Sequence, residues 1–199
     1  MGGRYGMNGH FKEIFGSAIN TIGTIQAAIG STTSFHFSKE MNYQLRLSGN
    51  ILQGTGSALS ADGQGTISLE KIGDEIQAIG NSTVVTGLIL YKLSNTPTEQ
   101  KLIITGNWLQ ALGSFVGLTD EFFDRTADGR MENIIGGLLQ GIGNSLQAIS
   151  GTEQLHGISN NNQQNIGVLG SWIQATGAVI SLIGQVKEEL EEIALNINE

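Results

Sequence analysis

The chain has 199 residues, including 29 glycines and a single proline, and only 14% of its residues are charged. This length suffices for one sizeable core or one quasi-repetitive domain. The absence of cysteine excludes disulfides, thiolate catalysis and cysteine-bound metal, and a net charge of -8 with ten dispersed basic residues argues against a nucleic-acid-binding protein.

Six helices are predicted in chain order. Their boundaries are placed at turn-forming segments and at points where a regular seven-residue spacing of glycines, described below, is interrupted. They cover 10–31, 38–61, 66–92, 97–118, 120–155 and 162–196. Helices of about 22 residues would be about 33 Å long, and they predict an all-α, up-and-down bundle with close glycine-mediated packing. Pro97 suits a first helical turn with Thr96 as its N-cap, and Thr119 or Asp120 is the predicted cap of the fifth helix.

Residues 1–9 are predicted to be a flexible N-terminal segment, with Met7 as a candidate native start, and 10–199 a single helical domain. The segment lacks the apolar run of a secretory signal, so the default location is cytoplasmic. No stretch is a clean apolar run of 18–20 residues, although 168–184 comes closest to a transmembrane segment.

One pattern, Gly-x-x-(Leu/Ile)-Gln-(Ala/Gly)-x-Gly, recurs in about six divergent copies. An imperfect first copy, GSAINTIG, begins at Gly16, and its continuation GTIQAAIG has Gln26 one place early. Because glycines spaced by seven residues are two helical turns apart, those of each segment lie on one side of a helix. The clear copies are GNILQGTG at 49–56, GDEIQAIG at 73–80, GNWLQALG at 106–113, GGLLQGIG at 136–143, GNSLQAIS from 143 and GSWIQATG at 170–177.

Each predicted helix has two contrasting faces. One face carries Leu, Ile and two Trp, and the other carries glycine, small residues and one glutamine. A β-structure would require apolar and polar residues to alternate with a period of two, which NWLQALGSFVGL lacks. Glycines in loops would not keep a regular seven-residue spacing. Glycine costs a helix about 1 kcal/mol relative to alanine. We expect close approach of helix backbones, with dispersion contacts and glutamine hydrogen bonds, to offset this cost.

The repeat defines the residues predicted to mediate helix packing and interaction. We interpret the glutamines as interhelical hydrogen-bonding groups that set the register of pairing, with a polar channel or an assembly surface as the alternative. The tryptophans are expected to pack in the core or in an interface. These residues are Gly49, Gln53, Gly56, Gly73, Gln77, Gly80, Gly106, Trp108, Gln110, Gly113, Gly136, Gly143, Gln147, Gly170, Trp172, Gln174 and Gly177.

The sequence offers little catalytic chemistry. His10, His36 and His156 stand in unrelated contexts, with no HExxH motif and no partner four residues away. GTGSAL and GIGNSL follow no strand, so they are interpreted as helical repeat rather than as dinucleotide-binding loops. Acidic residues are available for acid–base chemistry, but no pair stands out. We therefore predict a protein that is not an enzyme, without catalytic, cofactor-binding or metal-binding residues.

The segment DRTADGRME has part of the spacing of a calcium-binding loop. Asp124, Thr126, Asp128 and Gly129 match the first half of an EF-hand loop. The twelfth position is Ile135, which cannot supply the bidentate carboxylate that calcium requires there. An acidic turn between helices is the favoured interpretation.

Charged residues concentrate near predicted helix ends. Helices that lack charge on all sides are usually covered on most sides, so we expect these helix middles to be covered. The segments without Asp, Glu, Lys or Arg include 15–38, 76–91, 102–119 and 155–186.

The GN-x-LQA-x-G copies resemble those of a family of small, uncharacterised repetitive proteins from Bacillus and its relatives. The resemblance spans most of the chain. It implies a bacterial source, and it carries over no activity, cofactor or site.

Two functional hypotheses follow from the faces of the helices. The first is a non-enzymatic structural or interaction protein that self-associates through its Gly/Gln faces into a homo-oligomer. The alternative is a membrane-active helical toxin or pore-forming protein, because charge-free middles with regularly spaced glycines suit packing in lipid. The polar residues retained in each middle count against the alternative. No nucleic-acid partner and no small-molecule substrate is indicated.

Overall fold

The computed structural model describes residues 7–94, 96–123, 128–157 and 161–197. Within these ranges the chain forms six α-helices and a short 3-10 turn at Thr33–Phe35, with no β-strand. The predicted all-α bundle is confirmed. The first helix begins three residues earlier than predicted, and residues 1–6 lie outside the described part. The helices are α1 (Met7–Ser31), α2 (Lys39–Gly63), α3 (Leu69–Ser94), α4 (Pro97–Phe123), α5 (Arg130–Leu155) and α6 (Asn161–Ile197).

The helices pack as three antiparallel hairpins, α1–α2, α3–α4 and α5–α6. The hairpins close into a ring, because α2 packs on α3, α4 packs on α5, and α6 returns to α1. Short connections between helices favour antiparallel neighbours. The predicted up-and-down arrangement is therefore confirmed.

The boundary between α4 and α5 differs from its prediction. α4 continues through Asp120, and α5 begins only after Gly129, whose φ of 87° lies in the left-handed region that favours glycine. The prediction that Thr119 or Asp120 caps the fifth helix is wrong. The Oδ2 atom of Asp120 instead accepts the backbone N–H of Glu70 at 2.9 Å, near the N-terminus of α3. Asp120 thus satisfies one of the N–H groups that a helix start leaves without an intrahelical acceptor.

The start of α4 lies at Pro97, as predicted. The backbone N–H of Thr96 donates to Oε2 of Glu99 at 2.8 Å, and the Thr96 hydroxyl donates to the same oxygen. The hydroxyl of Ser94 donates to the other carboxylate oxygen. A glutamate at the third helical position that accepts the N-cap N–H is one half of a capping box.

The interior of the bundle is polar and built from small residues. Among the described residues, 22 polar or charged residues are buried but only nine hydrophobic ones, six of which are alanine. Thirty large hydrophobic side chains are exposed, including members of all six helices. This distribution is the reverse of the usual one, in which Ile, Leu and Phe are most often buried. The expectation that the uncharged helix middles are covered on most sides is therefore wrong for the single chain.

Charge is confined to the two ends of the bundle. The acidic end, where α1, α3 and α5 begin, carries 13 described acidic residues and four basic ones. The other end, which we call the mixed end, carries Lys39, Arg46, Lys92 and Lys101 together with Glu40, Glu99 and Glu153. Between these ends the described helices contain no Asp, Glu, Lys or Arg.

Candidate functional site

The repeat glycines lie where the two helices of each hairpin come closest. A Cβ added to Gly23 would lie 2.6 Å from the carbonyl oxygen of Gly49, and one added to Gly49 would lie 2.7 Å from that of Gly23. Real Cβ atoms essentially never come within 3.0 Å of such an atom, so a side chain would force the helices apart. The same reciprocal contact joins Gly16 to Gly56, Gly73 to Gly113, Gly80 to Gly106, Gly136 to Gly177, and Gly143 to Gly170.

These glycine pairs make the three hairpins equivalent, and the equivalent glutamines meet inside the bundle. Gln53, Gln110 and Gln174 each lie four residues after a paired glycine. The Nε2 atom of Gln174 donates to Oε1 of Gln53 at 2.8 Å and to Oε1 of Gln110 at 3.4 Å. The Nε2 atom of Gln147 donates to Oε1 of Gln174 at 2.9 Å. We call these four residues the glutamine layer.

A cavity of about 110 Å³ lies on the acidic side of the glutamine layer, and all six helices line it. We call it the acidic cavity, because Glu70, Asp74 and Glu121 contribute to its wall. Five amide side chains also line it, and three of these, Asn20, Gln77 and Gln140, occupy the same repeat position in the three hairpins.

A second cavity, of about 550 Å³, lies towards the mixed end, and all six helices line it as well. We call it the wide cavity. Its wall includes Lys39, Arg46 and Gln147. Along α4, Gln110 lies between Asn107 of the wide cavity and Ser114 of the acidic cavity. The glutamine layer therefore separates two cavities that approach it from opposite ends of the bundle.

Burial raises the pKa of carboxyl groups at the acidic end, which lies outside the uncharged helix middles. Burial raises the pKa of Asp74 to about 7, although hydrogen bonds from Ser60 and Gln64 favour its charged form. The pKa of Glu70 is raised well above its usual value, first by burial and then by repulsion from nearby carboxylates such as Glu188. Carboxyl groups in such an arrangement favour a bound proton or a nearby cation.

His10 meets two carboxylates of α6 at the acidic end. Its Nδ1 atom lies 2.5 Å from Oε2 of Glu189 and 3.7 Å from Oε2 of Glu192. The three ligand atoms lie within 4.8 Å of one another, so these residues could hold a divalent cation. The sequence did not indicate this cluster, because Glu189 is 179 residues from His10.

The tryptophans lie on the outer surface. Trp108 is 45% exposed and Trp172 is 37% exposed, so neither is a core residue of the single chain. The indole N–H of Trp172 donates to the hydroxyl of Thr32 at 2.9 Å. Packing of the tryptophans in an interface with another molecule stays a prediction.

The segment with calcium-loop spacing is described only in part. Asp124 and Thr126 lie outside the described residues. The backbone N–H of Asp128 donates to Oε2 of Glu191 at 2.8 Å, and Ile135 is an exposed residue of α5.

The carboxylates of the acidic cavity were not singled out in the sequence. One available signal is their spacing, because Glu70 and Asp74 are four residues apart and Gln77 follows three residues later. Residues with these spacings share one helical face. The signal is weak on its own, because the same spacing is common on the solvated faces of helices.

Comparison with known proteins gives a family but no activity. No curated protein and no solved structure shows significant similarity to the chain. The model of a family of unknown function, DUF6944, matches residues 11–182, which include the paired glycines and the glutamine layer. The chain belongs to this family.

Proposed function

We propose that this protein is a non-enzymatic helical bundle that is embedded in a membrane, with its polar interior shielded from lipid by its apolar outer surface. The observation that carries the proposal is the reversed burial: Gln, Asn, Ser and Glu are inside, and Ile, Leu, Phe and Trp are outside. Apolar surface in water is unfavourable by about 25 cal/mol per Å². In lipid the same surface is well solvated, and helix packing relies on small residues and interhelical hydrogen bonds, as in these hairpins.

The dimensions of the helices support a membrane location. The first five helices have 25–27 residues, which corresponds to about 37–40 Å, and the hydrocarbon core of a bilayer is about 30 Å thick. Two helical segments, Pro97–Phe122 and Asn165–Leu195, are long and apolar enough to cross a membrane, with mean hydropathy of 1.2 and 1.6. Only 33% of each segment's apolar window is buried, whereas the core helix of a soluble protein would be mostly buried.

Polar residues in the helix middles are compatible with this location. The exposed hydroxyl of Thr55 donates to the carbonyl of Ile51 at 2.8 Å, and that of Thr176 donates to the carbonyl of Trp172 at 2.9 Å. A hydroxyl that is paired within its own helix does not need water. The Ser and Thr residues of the helix middles are therefore only weak evidence against a membrane location.

A second candidate is a soluble assembly in which the apolar outer surfaces of several copies cover one another. Large exposed apolar surfaces are typical of interaction sites, which favours this candidate. The Gly/Gln faces are a less suitable surface for self-association, because their glycines contact each other within each hairpin. Self-association through those faces would require the hairpins to open.

Tryptophan fluorescence tests the membrane location. Both tryptophans of the chain lie on its outer surface. After reconstitution into vesicles whose acyl chains carry bromine, we expect strong quenching of their emission and flotation of the protein with the lipid. The variants Trp108→Phe and Trp172→Phe report on each position separately.

The two candidates give different results. A protein that stays in the aqueous fraction, with unquenched emission, overturns the membrane location. If that aqueous protein is also a discrete oligomer by light scattering, the second candidate is supported. A monomer of undiminished solubility at high concentration contradicts both.

A further inference from the structure

The polar features of the interior follow one line along the bundle. The acidic cavity and the wide cavity are each lined by all six helices, so both lie on the axis of the ring. In α2, Gln53 lies between Arg46 of the wide cavity and Gly56 of the acidic cavity. In α6, Gln174 likewise lies between Val168 of the wide cavity and Ala178 of the acidic cavity. The axis therefore runs from one cavity, through the glutamine layer, into the other.

The acidic cavity has the chemistry of a cation site. Its described lining includes three carboxyl groups and several amide and hydroxyl groups, but no Lys, Arg or His. Carboxylate and amide oxygens are the ligands that hard cations prefer. Rings of acidic side chains are a common means of admitting cations and rejecting anions.

The glutamine layer also contains a buried amide donor that is available to water. Gln110 is 2% exposed, and its Nε2 atom has no hydrogen-bond partner in the described part of the chain. A buried amide donor without a partner is costly, and water is its ordinary partner in proteins. This donor lies where the two cavities approach each other, so it is placed to bind a water molecule on the axis.

We propose that the axis of the membrane-embedded bundle is a route for small cations, which the acidic cavity selects and the glutamine layer gates. This inference rests on the proposed membrane location. In the described arrangement the hydrogen bonds from Gln174 to Gln53 and Gln110 hold the layer closed. Rotation of these side chains opens it. The wide cavity, of about 550 Å³, has room for a cation with its hydration shell, which weakens the repulsion by Lys39 and Arg46.

Conductance of the full chain in planar lipid bilayers tests the proposal. Under a potassium chloride gradient, at a pH above the pKa of Asp74 so that its carboxylate is charged, we expect the reversal potential to shift towards the equilibrium potential of potassium. The paired substitution Glu70→Gln and Asp74→Asn should lower the ratio of cation to chloride permeability several-fold. The matched pair Asp62→Asn and Glu75→Gln removes two exposed carboxylates of the same end and should leave the ratio unchanged.

Substitution in the glutamine layer tests the gate. Gln174→Ala removes the side chain that bridges the layer and should raise the conductance several-fold. Gln44→Ala, which changes an exposed glutamine of α2, should leave it unchanged. Circular dichroism of each variant shows whether the helices are retained. If Gln174→Ala fails to fold, the selectivity of the native chain and of the carboxylate variants still decides the proposal.

The outcome for cation passage is read separately from the outcome for membrane location. Tryptophan quenching in the same lipids reports insertion. Insertion without current, or a current carried by chloride, overturns the cation route and leaves the membrane location standing. Absence of insertion overturns both.

Discussion

Gly113 of α4 faces Gly73 of α3 so closely that a Cβ added to Gly113 would lie 2.5 Å from the carbonyl oxygen of Gly73. Gly117 lies one turn further along α4, and a Cβ added there would have its nearest neighbouring atom 3.8 Å away. The two glycines share a helix but not an environment. They form a matched pair for testing what the repeat glycines contribute.

Gly113→Ala should destabilise the bundle, and Gly117→Ala should stabilise it. The first substitution forces two backbones apart, which typically costs about 1–3 kcal/mol. The second improves helix propensity without a clash and gains up to about 1 kcal/mol. Thermal unfolding followed by circular dichroism measures both. Equal stabilisation by the two substitutions would show that the glycines do not serve close packing.

Replacing exposed isoleucines should weaken membrane binding without unfolding the bundle. Ile22, Ile79 and Ile142 occupy the same repeat position in the three hairpins, and all are exposed. The triple change to serine removes apolar surface from the lipid-facing side and leaves the interior unchanged, so the fraction bound to vesicles should fall. Ile67→Ser alters an exposed isoleucine between α2 and α3 and serves as the control. Unchanged binding of the triple variant would contradict the lipid-facing assignment.

Stability should decrease as the pH rises from about 4 to about 7, because the acidic end holds buried carboxyl groups with raised pKa, among them Glu70 and Asp74. The contribution of Asp74 can be followed over this range. Its pKa is raised from 3.8 to about 7 by burial, so the folded state holds the proton more tightly than the unfolded state. The resulting stabilisation is complete below the unfolded pKa and is lost as the pH rises through the folded pKa. Thermal midpoints over this range, in detergent, measure the effect.

Asp74→Asn should reduce this pH dependence, because asparagine has no proton to release, and should leave the part of the slope that the raised pKa of Glu70 contributes. Asp62→Asn provides the control at the same end. The pKa of Asp62 is lowered by its hydrogen bond from Lys12, and its own contribution is lost as the pH falls. An undiminished slope in Asp74→Asn would contradict the prediction that Asp74 contributes to it.

Glu99→Ala should destabilise the start of α4 by about 1 kcal/mol, the usual cost of losing a helix cap. Glu99 accepts the N–H of Thr96 and the hydroxyls of Thr96 and Ser94, and these donors would lose their partner. Hydrogen exchange at the Thr96 amide should become faster. Glu75→Ala, at an exposed position of α3, should have no such effect. Unaltered exchange at Thr96 would show that the cap is not formed.

The number of helices and their arrangement could be predicted because the repeat reports the phase of each helix directly. Residues seven apart lie two helical turns apart and share a face, so the spacing identifies the glycine face of each helix. The spacing does not determine whether a face is buried inside the bundle or exposed on its outer surface. The side chains of Trp108 and Leu112 therefore belong to the apolar face as predicted, but both are exposed. The choice between inside and outside depends on the solvent, which the spacing does not encode.

Other features were missed because they join distant parts of the chain. His10 and Glu189 form a contact between the first and last helices that no local pattern indicates. Asp120 has the local signature of a helix cap, yet it accepts the N–H of Glu70, which lies 50 residues earlier. The acidic cavity collects Glu121 from α4 beside Glu70 and Asp74 from α3, so its composition follows only from the tertiary arrangement.

The pairing of glycines within hairpins has a consequence for how the protein is made. Each glycine pair joins helices that are adjacent along the chain, so the closest contacts are completed as soon as two successive helices have been synthesised. Contacts of short sequence separation form rapidly. The bundle can therefore assemble by successive addition of ready-made two-helix units, and the meeting of Gln53, Gln110 and Gln174 is a late event that requires all three.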